Sequence, residues 1–171
     1  LRRQRQMCIR DSLWRMQVSV ESYQGIIQTA IEREIAARDL YADLAKRVTS
    51  GAARELLEDL SSQEEGHRRR LVTLLEKGFT PELLQRQNKR VADLKITDFL
   101  QEPVLDETAD VQQVLIVAGK RETGSYDLYA ALGSIAEDEE TMALFRFLAD
   151  QELQHKHRVE SLYEELFYAE F

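Results

Sequence analysis

The feature that most constrains the fold of this 171-residue chain is an internal repeat with a spacing of 88 residues. The two halves align without a gap, and identical residues recur at this spacing along two long stretches. The matched pairs include Glu34 with Glu122, Tyr41 with Tyr129, Leu60 with Leu148, Gln63 with Gln151, Glu64 with Glu152, and His67 with His155. Such a repeat implies two equivalent units related by a pseudo-twofold axis.

Apolar residues recur every three or four positions in four long segments, which is typical of helices that pack one face into a bundle. The segments run from about 22 to 48, from about 53 to 76, from about 109 onward and from about 139 onward. Gly51 marks a short turn within the first pair. With only 7 Gly and 2 Pro, the chain lacks the residues that a protein of many strands and turns needs. Each half is therefore predicted to be a helical hairpin.

A long segment, residues 77–108, separates the two predicted hairpins and contains both prolines, Pro81 and Pro103. It is too long for a hairpin turn, so we interpret it as a crossover, with a short helix from Pro81 to about Val91. Short loops within each pair and one long link between the pairs are the topology of ferritin-like proteins. We predict an all-α, ferritin-like four-helix bundle with one long crossover and two pseudo-symmetric hairpins.

The first residues differ from the rest of the chain in charge. Residues 1–15 contain five arginines and one acid, so their +4 leaves −12 on the remainder of a chain whose net charge is −8. Residues 5–12 resemble translated sequencing-adapter read-through, and we expect the natural protein to begin at or near Met16. We interpret residues 1–16 as an N-terminal extension and 17–171 as the domain; a flexible basic tail is the alternative.

Composition excludes several classes of protein. An acidic chain with a pI near 5.0 lacks the basic face that a nucleic acid requires. Its longest apolar run is five residues, far below the ~18 of a membrane-spanning helix. Cys8 is the single cysteine, so neither an intramolecular disulfide nor a multi-thiolate metal site can form. We expect a cytoplasmic protein that binds neither nucleic acid nor membrane.

Six polar residues lie within the apolar stripes of the four segments, where apolar side chains are expected. One unpaired buried carboxylate costs several kcal/mol, and four together would also repel one another. Either raised pKa values keep them protonated, or cations lie among them. A helical repeat with hydrogen-bonded polar core residues is the plainer interpretation. The six are Glu34, Glu64, His67, Glu122, Glu152 and His155.

The spacing of these residues favours a metal site. Glu64 and His67 are three residues apart on one helix face, as are Glu152 and His155. One Glu from each of the first and third helices, with Glu-x-x-His from the second and fourth, is the ligand set of di-iron and di-manganese carboxylate bundles. Oxygen and imidazole ligands without thiolates suit iron or manganese, and affinity alone leaves zinc open. We predict two Fe ions, with Mn or Zn as alternatives.

Two further pairs of residues follow the predicted ligands. Tyr41 and Tyr129 lie seven residues after Glu34 and Glu122, two turns along the same stripe. They would either donate a hydrogen bond to a ligand carboxylate or simply pack in the core. For the arginines that follow each histidine by three residues, Arg70 and Arg158, we expect ion pairs at the surface.

From about residue 17 to residue 171, the chain resembles the rubrerythrin-type branch of the ferritin-like superfamily, in which E-x6-Y and a later E-x2-H occur in both hairpins. The motifs here are EIAARDLY (34–41) with EEGH (64–67), and ETGSYDLY (122–129) with ELQH (152–155). The resemblance implies that Glu34 and Glu122 are terminal metal ligands and that Glu64 and Glu152 bridge the two metals. His67 and His155 would each bind one metal.

Two departures from the rubrerythrin pattern bear on activity. Full-length rubrerythrins carry an additional carboxylate one turn after the ligand on the third helix, and that position here is Ser125. Their peroxidase cycle uses this extra ligand, so the cycle does not transfer directly. Rubrerythrins also carry a Cys-rich rubredoxin domain, which a chain with one cysteine cannot form. An external electron donor, such as a rubredoxin-like protein, is therefore expected.

By this resemblance the leading expectation is a redox enzyme, with catalysis through the six ligands and with Tyr41 and Tyr129 beside them. Its reduced metal pair would donate two electrons to H2O2 or O2, as a defence against oxidative stress. The alternatives are a ferroxidase that stores or delivers iron, and a di-manganese catalase. We expect a homo-oligomer, with a dimer favoured.

Overall fold

The computed structural model describes residues 22–101, 103–106 and 108–168, with the side chain of residue 97 also left out. The predicted N-terminal extension, residues 1–16, lies outside the described residues, as does Cys8. Across the described ranges all regular structure is helical. None of these helices combines the length and the apolar character that crossing a lipid bilayer requires.

The helices follow the four predicted segments and the predicted crossover helix closely. In chain order they are α1 (Tyr23–Arg47), α2 (Gly51–Lys77), α3 (Pro81–Asp93), a 3-10 helix (Ile96–Leu100), α4 (Val111–Ile135) and α5 (Glu139–Tyr168). Polar side chains cap their first turns: the hydroxyl of Ser22 accepts the backbone N–H of Gly25, and Asp110 forms a capping box with Gln113.

The structure corrects the sequence interpretation at the start of α2. Gly51 does not lie in the turn but is the first residue of the helix. The reason is local: the hydroxyl of Ser50 accepts the backbone N–H of Ala53, so Ser50 is the cap and the turn is confined to 48–50. Gly51 has a negative φ and needs no special backbone conformation there.

The predicted ferritin-like topology is confirmed. Helix α1 packs on α2 and α4 packs on α5, and the two hairpins meet where α1 faces α4 and α2 faces α5. In the crossover, α3 begins at Pro81 as predicted and ends at Asp93, two residues beyond the predicted end. The 3-10 helix was not predicted; it follows Lys95, whose φ of 50° turns the chain back so that this short helix packs on α4.

The core of the bundle consists of two apolar layers with a polar band between them. One layer contains, among others, Ile27, Ala30, Leu71, Leu132, Phe145 and Leu148. The other contains, among others, Leu44, Leu57, Leu60, Leu115, Val159 and Leu162. Along each of the four long helices, the predicted ligand residues lie between these layers. The bundle therefore positions polar side chains at the depth where solvent is excluded from both ends.

Candidate metal centre

The structure brings all six predicted ligand residues together in the middle of the bundle, and none of their side chains is more than 3% exposed. Each long helix contributes from the turn that faces the bundle axis, because the residues occupy the apolar stripe of that helix. The contributions are Glu34 from α1, Glu64 and His67 from α2, Glu122 from α4, and Glu152 and His155 from α5.

Four of the six residues form an inner group. One ligand atom from each of Glu64, His67, Glu152 and His155 lies within 4.8 Å of the others. The carboxylate of Glu64 lies between the two imidazoles, with Oε2 3.1 Å from Nδ1 of His67 and Oε1 2.9 Å from Nδ1 of His155. Oε1 of Glu152 is 2.9 Å from Nδ1 of His67. Both rings therefore present Nδ1 to the carboxylates.

The remaining two carboxylates flank this inner group, one on each side. Oε2 of Glu34 lies 3.6 Å from Nδ1 of His67, and Oε2 of Glu122 lies 3.8 Å from Nδ1 of His155. Each of these glutamates is thus nearest to the histidine of its own hairpin. The inner carboxylate of Glu64, by contrast, contacts the histidine of the other hairpin, His155. The two imidazole rings stack, with 5.2 Å between the centroids of His67 and His155.

The two tyrosines connect the hairpins. The hydroxyl of Tyr41 on α1 donates to Oε1 of Glu122 on α4, and the hydroxyl of Tyr129 on α4 donates to Oε1 of Glu34 on α1. Burial, reinforced by the negative charge of the facing glutamate, raises the pKa of both phenols well above its usual value. Both therefore remain hydrogen-bond donors. Sequence spacing suggested a bond to a ligand carboxylate but did not show that each bond crosses between hairpins.

Burial and mutual repulsion make the carboxyl groups strong proton binders. Burial, with the charges of neighbouring glutamates, raises the pKa of Glu64 and Glu122 well above its usual value and that of Glu152 to about 8. Glu34 differs: burial opposes its ionisation, but hydrogen bonds and the charge of His67 lower its pKa. Without a cation, this cluster holds protons that a cation can displace.

The two histidines respond in opposite directions. Burial disfavours the charged form of His67, but hydrogen bonds with Glu152, Glu34 and Glu64 outweigh it and raise its pKa to about 12. Burial, together with the positive charge of His67, lowers the pKa of His155 to about 3. Residues that the sequence repeat makes equivalent are therefore not equivalent in their protonation.

Sequence reasoning missed a hydrogen-bond chain behind His155. Oε1 of Gln63 lies 3.0 Å from Nε2 of His155, and the amide nitrogen of Gln63 donates to Asp59 at 2.8 Å. Arg158 completes the chain with the expected ion pair, a 2.6 Å contact to Asp59. Gln63 does recur as Gln151 in the repeat, which was a signal, but a glutamine at the helix surface has no distinctive pattern.

A different residue lies behind His67. Phe147, which occupies the repeat position of Asp59, meets the His67 ring edge-on with 6.3 Å between centroids. The guanidinium of Arg70 lies over the Phe147 ring, 4.7 Å from its centroid, rather than in the ion pair expected from the sequence. The imidazole of His67 is thus covered by an aromatic ring where that of His155 meets a polar chain.

The donor set fits divalent transition metals. Four carboxylates and two imidazoles converge without a thiolate, which suits iron or manganese and also accommodates zinc. The raised pKa of three of the carboxyls has the same origin, since packing them together without a cation makes each harder to ionise. Ser125, one turn after Glu122 on α4, is 9% exposed and adds a hydroxyl but no charge.

Comparison with known proteins adds one positive finding. The family model for rubrerythrin matches residues 25–163, a span that includes all six clustered residues and both tyrosines. No curated protein and no solved structure gives a significant match to the chain.

Proposed function

Because the chain belongs to the rubrerythrin family, we propose that its buried cluster binds two iron ions and reduces hydrogen peroxide, with dioxygen as the alternative oxidant. The observation that carries this proposal is the convergence of four carboxylates and two imidazoles in a band sealed by apolar layers at both ends. A buried carboxylate quartet is costly to fold, and two divalent cations would neutralise its four negative charges.

In this proposal, Glu64 and Glu152 would hold both ions, and His67 and His155 would each hold one ion through Nδ1. Supporting this, Glu64 lies between the two imidazoles, and both Nδ1 atoms face the inner carboxylates. Two iron ions bound here would supply the two electrons that H2O2 takes up, with two protons, to become two molecules of water.

Glu34 and Glu122 would be the terminal ligands, each held by the tyrosine of the opposite hairpin. Each tyrosine occupies Oε1 of its glutamate and leaves Oε2 facing the neighbouring Nδ1. The phenols thus orient the carboxylates without neutralising them, because their own raised pKa keeps the proton on the tyrosine oxygen. Because each of these two bonds joins the hairpins, a movement of either terminal ligand would be transmitted to the opposite hairpin.

The apolar layers on either side of the cluster would exclude bulk water and admit only small oxidants. We propose that reducing equivalents come from an electron-transfer centre of the rubredoxin class, which the single cysteine of these 171 residues cannot form.

The first test is metal content. Glu64→Ala combined with Glu152→Ala should lower bound iron from two ions per chain to near zero by elemental analysis, because both shared ligands are lost. The matched control, Glu65→Ala with Glu160→Ala, removes one glutamate from each of the same two helices outside the cluster and should keep two ions. Retention of two ions by the first double variant would contradict the proposal that this cluster binds metal.

The second test concerns the oxidant. Protein loaded anaerobically with Fe(II) should oxidise much faster with H2O2 than with O2 in stopped-flow absorbance. Faster oxidation by O2, together with a large hollow oligomer on gel filtration, would instead identify an iron-storing ferroxidase. Steady O2 release from H2O2 by manganese-loaded protein without any reductant would identify a catalase.

A further inference from the structure

The polar chain behind His155 has a definite direction. Gln63 precedes Glu64 on α2, and its amide reaches across to His155 on α5, with Oε1 3.0 Å from Nε2 of the ring. The other end of the amide, Nε2, donates to Oδ2 of Asp59 at 2.8 Å. Asp59 in turn accepts from Arg158 on α5 at 2.6 Å. The chain therefore runs from a surface arginine to a buried imidazole and joins two helices twice.

The chemistry of Asp59 fixes the orientation of the Gln63 amide. An ionised carboxylate offers only acceptor atoms, and Asp59 is paired with the guanidinium of Arg158. The amide must therefore turn its NH2 group toward Asp59. Its oxygen then faces His155, and the reverse orientation would place two acceptors against each other.

That orientation in turn selects one tautomer of His155. An amide oxygen cannot donate, so the ring nitrogen that faces it, Nε2, must carry the proton. In a neutral imidazole the other nitrogen then carries the lone pair. That nitrogen, Nδ1, is the one that faces the carboxylates of Glu64 at 2.9 Å and Glu122 at 3.8 Å. The ring is thereby set with its lone pair toward the centre.

We infer that Gln63 is a positioning residue that holds His155 as the Nε2–H tautomer, with Nδ1 preset to bind the metal on that side of the centre. The inference rests on the proposed metal site, whose ligand His155 is, and adds an inequivalence between its two ions. Asp59 and Arg158 act through Gln63, because neither contacts the imidazole.

The second hairpin provides an internal control. Gln151 occupies the repeat position of Gln63, on α5 one residue before Glu152, but no side chain in the described ranges accepts a hydrogen bond from Nε2 of His67. The repeat position of Asp59 holds Phe147, whose ring cannot orient an amide. The same residue type at the same register thus has a polar partner in one half and lacks one in the other.

The experiment compares Gln63→Leu, Gln151→Leu and Gln63→Glu in the full chain. Co(II) serves as the probe, titrated anaerobically against a chelator and followed by its visible absorption. Gln63→Leu should weaken one of the two sites by roughly 10- to 100-fold, the usual effect of losing such a partner, and leave the other unchanged. Gln151→Leu should leave both affinities within about twofold, and Gln63→Glu, which keeps an acceptor oxygen, should retain both sites.

A second readout reports the tautomer directly. In Zn(II)-loaded protein labelled with ¹⁵N-histidine, NMR should show His155 with the proton on Nε2 and the metal on Nδ1, and Gln63→Leu should lose this uniform state. A proton on Nδ1 in wild type, unchanged affinities in Gln63→Leu, or equal losses in the Gln63 and Gln151 variants would each overturn the inference. Wild type that binds fewer than two ions would instead defeat the proposed function, while the tautomer of His155 in the metal-free protein would still decide the role of Gln63.

Discussion

His67 and His155 stand at equivalent positions of the two hairpins, yet they meet different surroundings. Behind His155 the chain places an amide, a carboxylate and a guanidinium; behind His67 it places the Phe147 ring with Arg70 over it. The divergence arises at one repeat position, where one hairpin has Asp59 and the other has Phe147. Residues that touch the centre are duplicated; one layer further out the glutamine and the arginine recur as well, but Asp59 is replaced by Phe147.

This difference shows where the repeat constrains the molecule. Each ligand position must supply a particular donor atom at a particular depth, so both halves keep Glu and His there. The next layer must only fill the space behind each imidazole, and either a polar chain or an aromatic ring can do so. A two-metal centre built from a symmetric ligand set can therefore have two chemically distinct ends.

The largest expected effect concerns the protons that the cluster holds in the absence of metal. Three carboxyls and His67 have a raised pKa, so a cation must displace their protons. Metal affinity should therefore increase at least tenfold per pH unit between pH 6.5 and 8. Isothermal titration with Mn(II) in buffers of different ionisation enthalpy measures both the affinity and the protons released. Affinity that is flat across this range would contradict the protonated cluster.

The stability of the metal-stripped protein, unlike its metal affinity, should decrease as the pH rises. The pKa of Glu152 rises from 4.5 to about 8 and that of His67 from 6.5 to about 12 on folding. A group whose pKa is raised on folding stabilises the folded protein fully when the pH is below its unfolded-state pKa. This contribution is lost as the pH rises through its folded-state pKa. The pKa of His155 is lowered from 6.5 to about 3, so this residue stabilises the folded protein above pH 6.5 and loses its contribution only as the pH falls below that value.

Between pH 6.5 and 8 the His155 contribution is therefore constant, while those of Glu152 and His67 both decline. Each displaced proton lowers the free energy of unfolding by up to about 1.4 kcal/mol per pH unit. Urea denaturation at three pH values within this window measures the slope, and Glu152→Gln should make it shallower. A rise in stability over the same window would show that His67 is neutral in the folded protein.

The tyrosine pair gives the next largest effect and tests whether the halves differ in charge. Tyr129→Phe removes a hydrogen bond to Glu34, whose lowered pKa keeps it ionised, and should cost ~2 kcal/mol in metal-stripped protein. Tyr41→Phe removes the equivalent bond to Glu122, whose raised pKa makes it harder to ionise, and should cost ~1 kcal/mol. Urea denaturation of both variants measures the difference; equal costs would mean that both glutamates share one charge state.

The ligand set and the bundle were predictable from sequence because both depend on periodicity. A carboxylate at a position such as Glu34, in the middle of an apolar stripe, contradicts the pattern around it, and the repeat at Glu122 makes coincidence untenable. The start of α3 was predictable for a similar reason, since Pro81 suits the first turn of a helix and no later one.

What could not be predicted depends on contacts between helices. The crossed tyrosine bonds require knowing that α1 faces α4, which no spacing within one helix reveals. Gln63 and Asp59 lie on the half-exposed side of α2, where polar residues are normal and carry no signal. The opposite pKa shifts of His67 and His155 have different causes: three hydrogen-bonded glutamates outweigh burial at His67, whereas burial and the charge of His67 act on His155. Such contacts are fixed only when the bundle is packed.

The Phe147 ring covers the His67 side of the centre, and truncating it should expose that side to solvent. Phe147→Ala removes a ring that is 39% exposed and that covers His67, so its cost in stability should be ~1–2 kcal/mol, below that of a fully buried ring. Removal of one metal ion by a chelator should become faster, because solvent then reaches the His67 side. Leu144→Ala, a half-buried position on the same helix, is the control and should leave the rate of metal removal unchanged. An unchanged rate in Phe147→Ala would mean that chelators enter elsewhere.

Asp59→Ala should have the smallest effect of all, and its two readouts should separate. The lost ion pair with Arg158 is partly exposed, so the free energy of unfolding should fall by less than ~1 kcal/mol. The Gln63 amide loses the partner that fixes its orientation but keeps its oxygen within reach of His155, so one metal site should weaken only a few-fold, less than in Gln63→Leu. Equilibrium unfolding and Co(II) competition measure the two quantities on the same sample. A weakening greater than that of Gln63→Leu would show that Asp59 acts on the centre by a route other than the amide.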